Sequence, residues 1–174
     1  MREEAVYIDD TGPDVRIAVS GHMTARLCPA LKAAFMSRLA AMAEAAVEAA
    51  EAAPHAVRID LSNCEYMDSS FLGLLVQCSK ASTAAGFGRP VLHRVGEVCM
   101  DLLSTMGMTR LFDFSGEPCV LGSARSIDPE GELGARFLLE THRELEILSP
   151  ENRARFRDLT AMLEKESAAE DSPL

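Results

Sequence analysis

The sequence predicts an α/β fold: a mostly parallel sheet of four to five strands that starts with a hairpin and is packed by helices, followed by a C-terminal helical hairpin. Three observations carry this. Short runs with apolar–polar alternation and β-branched residues recur at residues 5–8, 15–20, 57–61 and 90–93. Segments with apolar residues three and four apart stand between the later runs, which implies right-handed crossovers and parallel strands. Finally, the Gly-, Ser-, Asp- and Pro-rich stretch 122–134 leads into two more amphipathic segments with no strand between them. The expected units are therefore residues 1–122, an α/β domain, and residues 123–174, a linker and helical hairpin with a disordered tail.

Taken in order, the runs at 5–8 and 15–20 flank Asp9-Asp10-Thr11-Gly12-Pro13-Asp14, a dense turn signal, and read as an antiparallel pair ending at Ser20-Gly21. A long Ala-rich helix is expected from about Thr24 to Ala53, with Leu27, Leu31, Phe35, Leu39 and Met42 as its apolar stripe and Pro54 as its stop. Its second half has little besides alanine and Val47 to bury, so that end is expected to project. Further on, Pro90–His93 reads as a short strand, Glu97–Met106 as a short helix and Leu111–Phe114 as another strand, with Cys119–Leu121 its continuation or a cover strand. Gly86-Phe87-Gly88 follows a helix and reads as a C-cap and turn, not a phosphate loop. In the last third, one helix is expected over 133–148, with Phe137, Leu138, Leu145 and Leu148. A second opens at the cap Ser149-Pro150, with Phe156, Leu159, Met162 and Leu163. Such a pair cannot bury both stripes alone, so it must cover the core domain or a second copy of the chain.

The stretch around which the chain is organised is 57–76. An alternating run, Val57–Leu61, stops at the polar Ser62-Asn63, and helical spacing begins after Asp68. This reads as strand, loop and helix, with Asp68 and Ser69 at the place where α/β folds present groups outward. A phosphate on Ser69 would meet unpaired N–H groups and the positive end of a helix dipole. The structural reading is equally available, because an Asp or Ser before a helix is what an N-cap requires.

Met67-Asp68-Ser69-Ser70-Phe71-Leu72-Gly73, preceded by a strand ending in Asp60-Leu61-Ser62, resembles the signature of the STAS domain of anti-sigma factor antagonists, over roughly residues 5–115. The resemblance implies that Ser69 is phosphorylated and dephosphorylated and that the domain is a cytoplasmic binding module, not an enzyme. It further implies that the unphosphorylated form sequesters an anti-sigma factor, a serine kinase of the GHKL type, and that a PP2C-like phosphatase restores the serine. ATP then belongs to the kinase, and no cofactor is expected on this chain. The expected partner-binding residues are Asp68, Ser69, Ser70, Phe71 and Leu72. Phe71 stands where many members have glycine, and reads as core or as an apolar anchor in the partner interface. The alternative within the same fold is a non-switching STAS scaffold, a stressosome-type component or an accessory subunit of a lipid transporter, with a homodimer formed through the C-terminal helices.

Composition narrows the rest. The net charge is −10, with 15 acidic and 10 basic residues in 1–122 and 12 and 7 in 123–174, and there is no Trp and no basic stripe, which argues against nucleic acid. No apolar run reaches membrane-spanning length and no signal peptide is visible, so neither membrane insertion nor export is expected. Cys28, Cys64, Cys78, Cys99 and Cys119 lie 14 to 36 residues apart without ligand spacing and read as reduced, buried thiols rather than a metal site. A serine hydrolase built on Ser69 lacks the G-x-S-x-G pattern, and among His22, His55, His93 and His142 only His93, ending a strand near the same edge, offers itself as a base.

Overall fold

The computed structural model describes residues 2–9, 11–48, 56–129 and 133–170. Strands β1 (Ala5–Asp9) and β2 (Val15–Met23) form the expected antiparallel pair. A 3₁₀ turn, Ala25–Leu27, leads into helix α1 (Cys28–Glu48), and strand β3 (Val57–Met67) is followed directly by α2 (Ser69–Ala84). Then come β4 (Val91–His93), α3 (Glu97–Thr105), a 3₁₀ turn at Thr109–Leu111, β5 (Asp113–Ser115) and β6 (Ala124–Ser126). Helices α4 (Ala135–Glu146) and α5 (Pro150–Glu170) close the chain. The sheet order is β5-β4-β3-β2-β1-β6. The β2–β3, β3–β4 and β4–β5 pairs are parallel, and both neighbours of β1 are antiparallel.

Alternation sets which face of the sheet is buried. Val15, Ile17 and Val19 of β2 and Val57, Ile59 and Leu61 of β3 are buried, and they share one apolar cluster with Leu31, Phe35, Leu39 and Met42 of α1 and with Phe71, Leu72, Leu75 and Val76 of α2. The apolar stripe expected of α1 is thus core throughout. Between the buried strand residues, Arg16, Arg58 and Asp60 are only half-buried.

Several boundaries differ from expectation. β3 does not stop at Leu61. Its pairing with β2 shifts register between Ala18 and Ser20 and again between Gly21 and His22, so β3 carries an extra residue at each place. The polar Ser62-Asn63 is therefore a bulge rather than a loop, held by the Ser62 N–H donating to Asp60 Oδ1 at 2.8 Å, and the strand resumes with buried Cys64 and Met67. β2 likewise runs past Gly21, whose φ of 77° and close approach to the Glu3 carbonyl, 2.6 Å from where a Cβ would lie, leave no room for a side chain.

The stretch expected to be a linker supplies β6, a sixth strand. Asp9 Oδ2 accepts from the Gly122 N–H at 2.7 Å, and the Ile127 N–H donates to the Val6 carbonyl, so the segment is clipped along β1. Cys119–Leu121 is not a strand, and Leu111 lies in a 3₁₀ turn before β5. α5 continues to Glu170, into the stretch where a disordered tail was expected, and the Glu170 carboxylate accepts from the Ala135 N–H at 3.2 Å, which ties the end of α5 to the start of α4. The expected helix beyond Glu48, its stop at Pro54 and residues 171–174 lie outside the described residues.

The hairpin folds back onto the domain. Leu145 is fully buried and Phe156 is buried in the main cluster, with Phe137, Leu148 and Leu159 packed against it. Asn152, buried, donates from Nδ2 to the carbonyls of Met106 and Leu145, both at 3.0 Å, which ties α5 to the end of α3. The apolar stripe that suggested a homodimer through these helices is thus largely covered by the chain's own core.

Candidate functional site

The site is assembled where β2 and β3 end. The Asp68 N–H donates to the Met23 carbonyl at 2.9 Å, which closes the two parallel strands together. The Asp68 carboxylate then caps two elements at once: Oδ1 accepts from the Phe71 N–H at 2.8 Å, and Oδ2 accepts from the Ala25 N–H at 3.0 Å. Asp68 is therefore the N-cap of α2 and the clamp on the turn after β2, and both its oxygens are engaged. Beside it, Thr24 donates to Glu4 Oε1 from both its hydroxyl, at 2.7 Å, and its N–H, while Arg26 pairs with Glu4 Oε2 at 3.1 Å. The end of β2 and the turn after it thus flank the motif.

Ser69 is the first residue of α2 and is half-buried. Ser70, Phe71 and Leu72 are not on the surface: they are 4%, 1% and 1% exposed, and Phe71 and Leu72 belong to the main cluster. Of the two readings of Phe71, core and apolar anchor, burial selects the core, and Ser70, Phe71 and Leu72 are removed from the surface expected to meet a partner. Helical spacing turns these side chains under α2 once Asp68 fixes its start. Of the five residues expected to meet a partner, Asp68 and Ser69 alone are partly exposed.

The hydroxyl of Ser69 has a partner that sequence spacing did not suggest. Its Oγ lies 2.9 Å from His142 Nε2 on α4, and His142 Nδ1 lies 2.7 Å from the Leu138 carbonyl. A carbonyl only accepts, so Nδ1 carries the proton. In the neutral ring Nε2 then offers a lone pair, and the serine hydroxyl donates to it. His142 is 4% exposed, and its ring meets Phe156 edge-on at a centroid separation of 5.4 Å. One turn along α2, Gly73 lies against α4: a Cβ there would be 2.2 Å from the Thr141 carbonyl oxygen. Glycine at 73 is what lets α4 cross α2 directly beside Ser69. The sequence held one signal for this, a histidine on the apolar stripe of α4 between Leu138 and Leu145.

His93, the base considered for a hydrolase, is elsewhere. Its Nδ1 lies 2.9 Å from the Glu117 carbonyl, and it borders a cavity lined by Asp14, Arg16 and Arg58 on the half-buried face of the sheet. In that cavity, burial pushes the Asp14 carboxyl up. Hydrogen bonds from Arg58, from the Ala56 N–H and from Arg16 outweigh burial and leave it below the usual range. The five cysteines are all free and buried, and burial pushes the Cys78 thiol up to about 12. Among the described residues no group of three or more His, Cys, Asp or Glu is placed to hold a metal ion, and no helix is long and apolar enough to cross a membrane.

The strand β3 thus hands its chain through a capping aspartate to a serine-led helix, in a mixed sheet begun by an antiparallel pair. The family described as "Mlab, STAS domain" matches residues 6–113, and the chain belongs to that family. Among solved structures, the anti-sigma factor antagonist SpoIIAA in its unphosphorylated form is similar, with a TM-score of 0.50 and 15% identity, covering 63% of this chain and 87% of that one. At that identity the likeness is one of fold. A search of the curated proteins finds no match.

Proposed function

We propose that this chain is a regulatory binding module that docks a partner protein at the start of α2 and is switched by phosphorylation of Ser69. The observation that carries the reading is the placement of Ser69, a half-buried residue, at the N-terminus of α2 on a turn fixed by Asp68 through both carboxylate oxygens. A rigid turn presents that oxygen in one position, and the helix N-terminus favours a negative group there.

The partner that the STAS family resemblance suggests is an anti-sigma factor acting as a GHKL-type serine kinase, with a PP2C-like phosphatase to reset the serine. The kinase brings ATP. This chain contributes no catalytic residue and works in the cytoplasm. The switch can be sized. Phosphate adds about −1.5 to −2 charges, and a unit charge pair at ~5 Å with an effective dielectric of ~20 is worth roughly 3 kcal/mol before salt screening. Set against an apolar or acidic partner surface, ~3 kcal/mol weakens binding by more than a hundredfold, with no refolding. Because Phe71 and Leu72 are core, the contact surface centres on Asp68, Ser69 and the neighbouring 24–26 turn.

The test is intact-mass measurement after incubation with candidate kinases and ATP, with the modified residue mapped, followed by binding of Ser69→Ala and Ser69→Asp to the kinase so found. Ser69→Ala is expected to bind constitutively and Ser69→Asp at least a hundredfold more weakly. Equal affinity removes Ser69 from the mechanism. One observation favours a second reading, a non-switching STAS scaffold or transporter accessory subunit. The Ser69 hydroxyl is already hydrogen-bonded to His142 beneath α4. A partner found to bind Ser69→Ala and Ser69→Asp alike, with no phosphate acquired, selects that reading.

A further inference from the structure

We propose that the α4–α5 hairpin is the resident occupant of the docking face: α4 covers the Ser69 hydroxyl, and a kinase or binding partner reaches Ser69 only when the hairpin lifts. This rests on the reading of Ser69 as the centre of that face. The matched residues 6–113 end well before α4, so the occupant lies outside the unit that matches the STAS family.

Three features place the occupant specifically over Ser69. The first is the notch at Gly73, where the α4 backbone enters space that any side chain would fill, with the Thr141 carbonyl 2.2 Å from a Cβ position. The second is the hydrogen bond from Ser69 to His142, whose ring is oriented by the Leu138 carbonyl and backed by Phe156. The third is a pair of ionic ties along the seam, Lys80 to Glu144 and Lys32 to Glu140. Both ties are partly solvated, which suits an element that leaves and returns.

Phosphorylation and closure exclude one another. Transfer of the γ-phosphoryl group from ATP on a kinase forms an Oγ–P bond, breaks the bond to ADP and releases the hydroxyl proton. Oγ and Nε2 are 2.9 Å apart, which leaves no space for a phosphoryl group between them. The serine also loses the proton that it donated to the Nε2 lone pair. A phosphorylated chain therefore holds its hairpin open, and an unphosphorylated chain closes it. A partner of the unphosphorylated chain competes with the hairpin, so its apparent affinity is its intrinsic affinity multiplied by the open fraction. Phosphate opens the hairpin but repels that partner directly, so the Ser69→Ala and Ser69→Asp affinities are compared in a Gly73→Ala background, where the hairpin is open in both.

Hydrogen–deuterium exchange on the full chain tests this. In the unmodified chain the α4 amides are expected to exchange at least ~10-fold faster than those of β3, as a unit that opens separately. Ser69→Glu, which puts bulk and charge against His142, is expected to accelerate α4 by about 100-fold while β3 stays protected. Gly73→Ala is expected to do the same while leaving the serine hydroxyl in place. In a Ser69→Cys background, N-ethylmaleimide labelling mapped to position 69 is expected to rise about 100-fold when Gly73→Ala is added. Exchange of α4 and β3 as one unit in the unmodified chain, or undiminished α4 protection in both variants, overturns the proposal. If Gly73→Ala also strips protection from β3, the variant has unfolded and Ser69→Glu decides alone. Failure of any kinase to modify Ser69 would sink the switch and leave these exchange results standing, so the two readings fail separately.

Discussion

The two parts of this chain are held together in different ways. In the STAS unit, α1 and α2 lie on the sheet through broad apolar faces, and residues such as Phe35, Ile59 and Leu75 are almost fully withdrawn from water. The hairpin is attached through fewer fully buried side chains: Leu145 and Phe156, with the partly buried Phe137, Leu148 and Leu159 around them, a close backbone contact at Gly73, and individual polar bonds from His142, Asn152 and Lys80. Area-wide burial makes a cooperative unit, whereas a few discrete contacts make an element that detaches before the rest unfolds. That attachment includes the residue read as functional, Ser69.

The largest effect is expected where burial is broadest. Phe35→Ala leaves a ring-sized cavity between α1 and the sheet and is expected to cost about 3–5 kcal/mol. In denaturant titrations it should lower the unfolding midpoint of every probe together. Leu145→Ala removes a fully buried side chain of the hairpin, with an intrinsic cost of about 2–5 kcal/mol. Here the loss should fall on α4, whose amides open while β3 stays closed. If both variants lower all probes equally, the division into two units is wrong.

Asp68→Ala sharpens the comparison at the junction. It deprives the Phe71 and Ala25 N–H groups of their acceptors and is expected to destabilise the STAS unit by about 2 kcal/mol, read from thermal unfolding. A cost confined to α4 would show that the residue serves the lid and not the turn.

Asp9 gives a pH signature that belongs to the STAS unit. Hydrogen bonds from the Thr11 side chain and backbone, opposed by burial and reinforced by the Gly122 and Ser123 N–H groups, hold its carboxyl down at about 2. A carboxyl that titrates lower in the folded chain than its unfolded value near ~3.9 stabilises the fold above about pH 4, and that contribution is lost as pH falls toward 2. Asp9→Asn is expected to lower stability by about 1–2 kcal/mol at pH 7. The gap from the unmodified chain should close when denaturant midpoints are repeated at successively lower pH between 4 and 2. The smallest effect is expected for Lys80→Ala, which removes a half-exposed ion pair of the seam. It should cost under ~1 kcal/mol and appear only as slightly faster α4 exchange, fading with added salt.

Much of this architecture is local and was legible in the chain. Alternation in Val57–Leu61 and Val15–Ser20 marks buried strands, because side chains on a strand change face at every residue. The stripe Leu27, Leu31, Phe35, Leu39 and Met42 marks the buried face of α1 for the equivalent reason on a helix. Asp68 as a cap, Ser149 as the start of α5 and the Asp68-Ser69 turn follow from which backbone groups a helix end leaves unpaired. What could not be read there depends on pairing between distant parts of the chain. Ser62-Asn63 looked like a loop because a polar pair breaks alternation, and only the neighbouring strand β2 turns it into a bulge. The segment 124–126 looked like a linker because it lies in a Gly-, Ser-, Asp- and Pro-rich stretch, and only the edge of β1 makes it a strand. Phe71 and Leu72 fit either a partner interface or a core until packing chose the core. Ser69 and His142 are 73 positions apart, and no local rule joins them. Their meeting is decided by the α4 backbone settling into the notch at Gly73, a steric fit that exists only once both helices are in place.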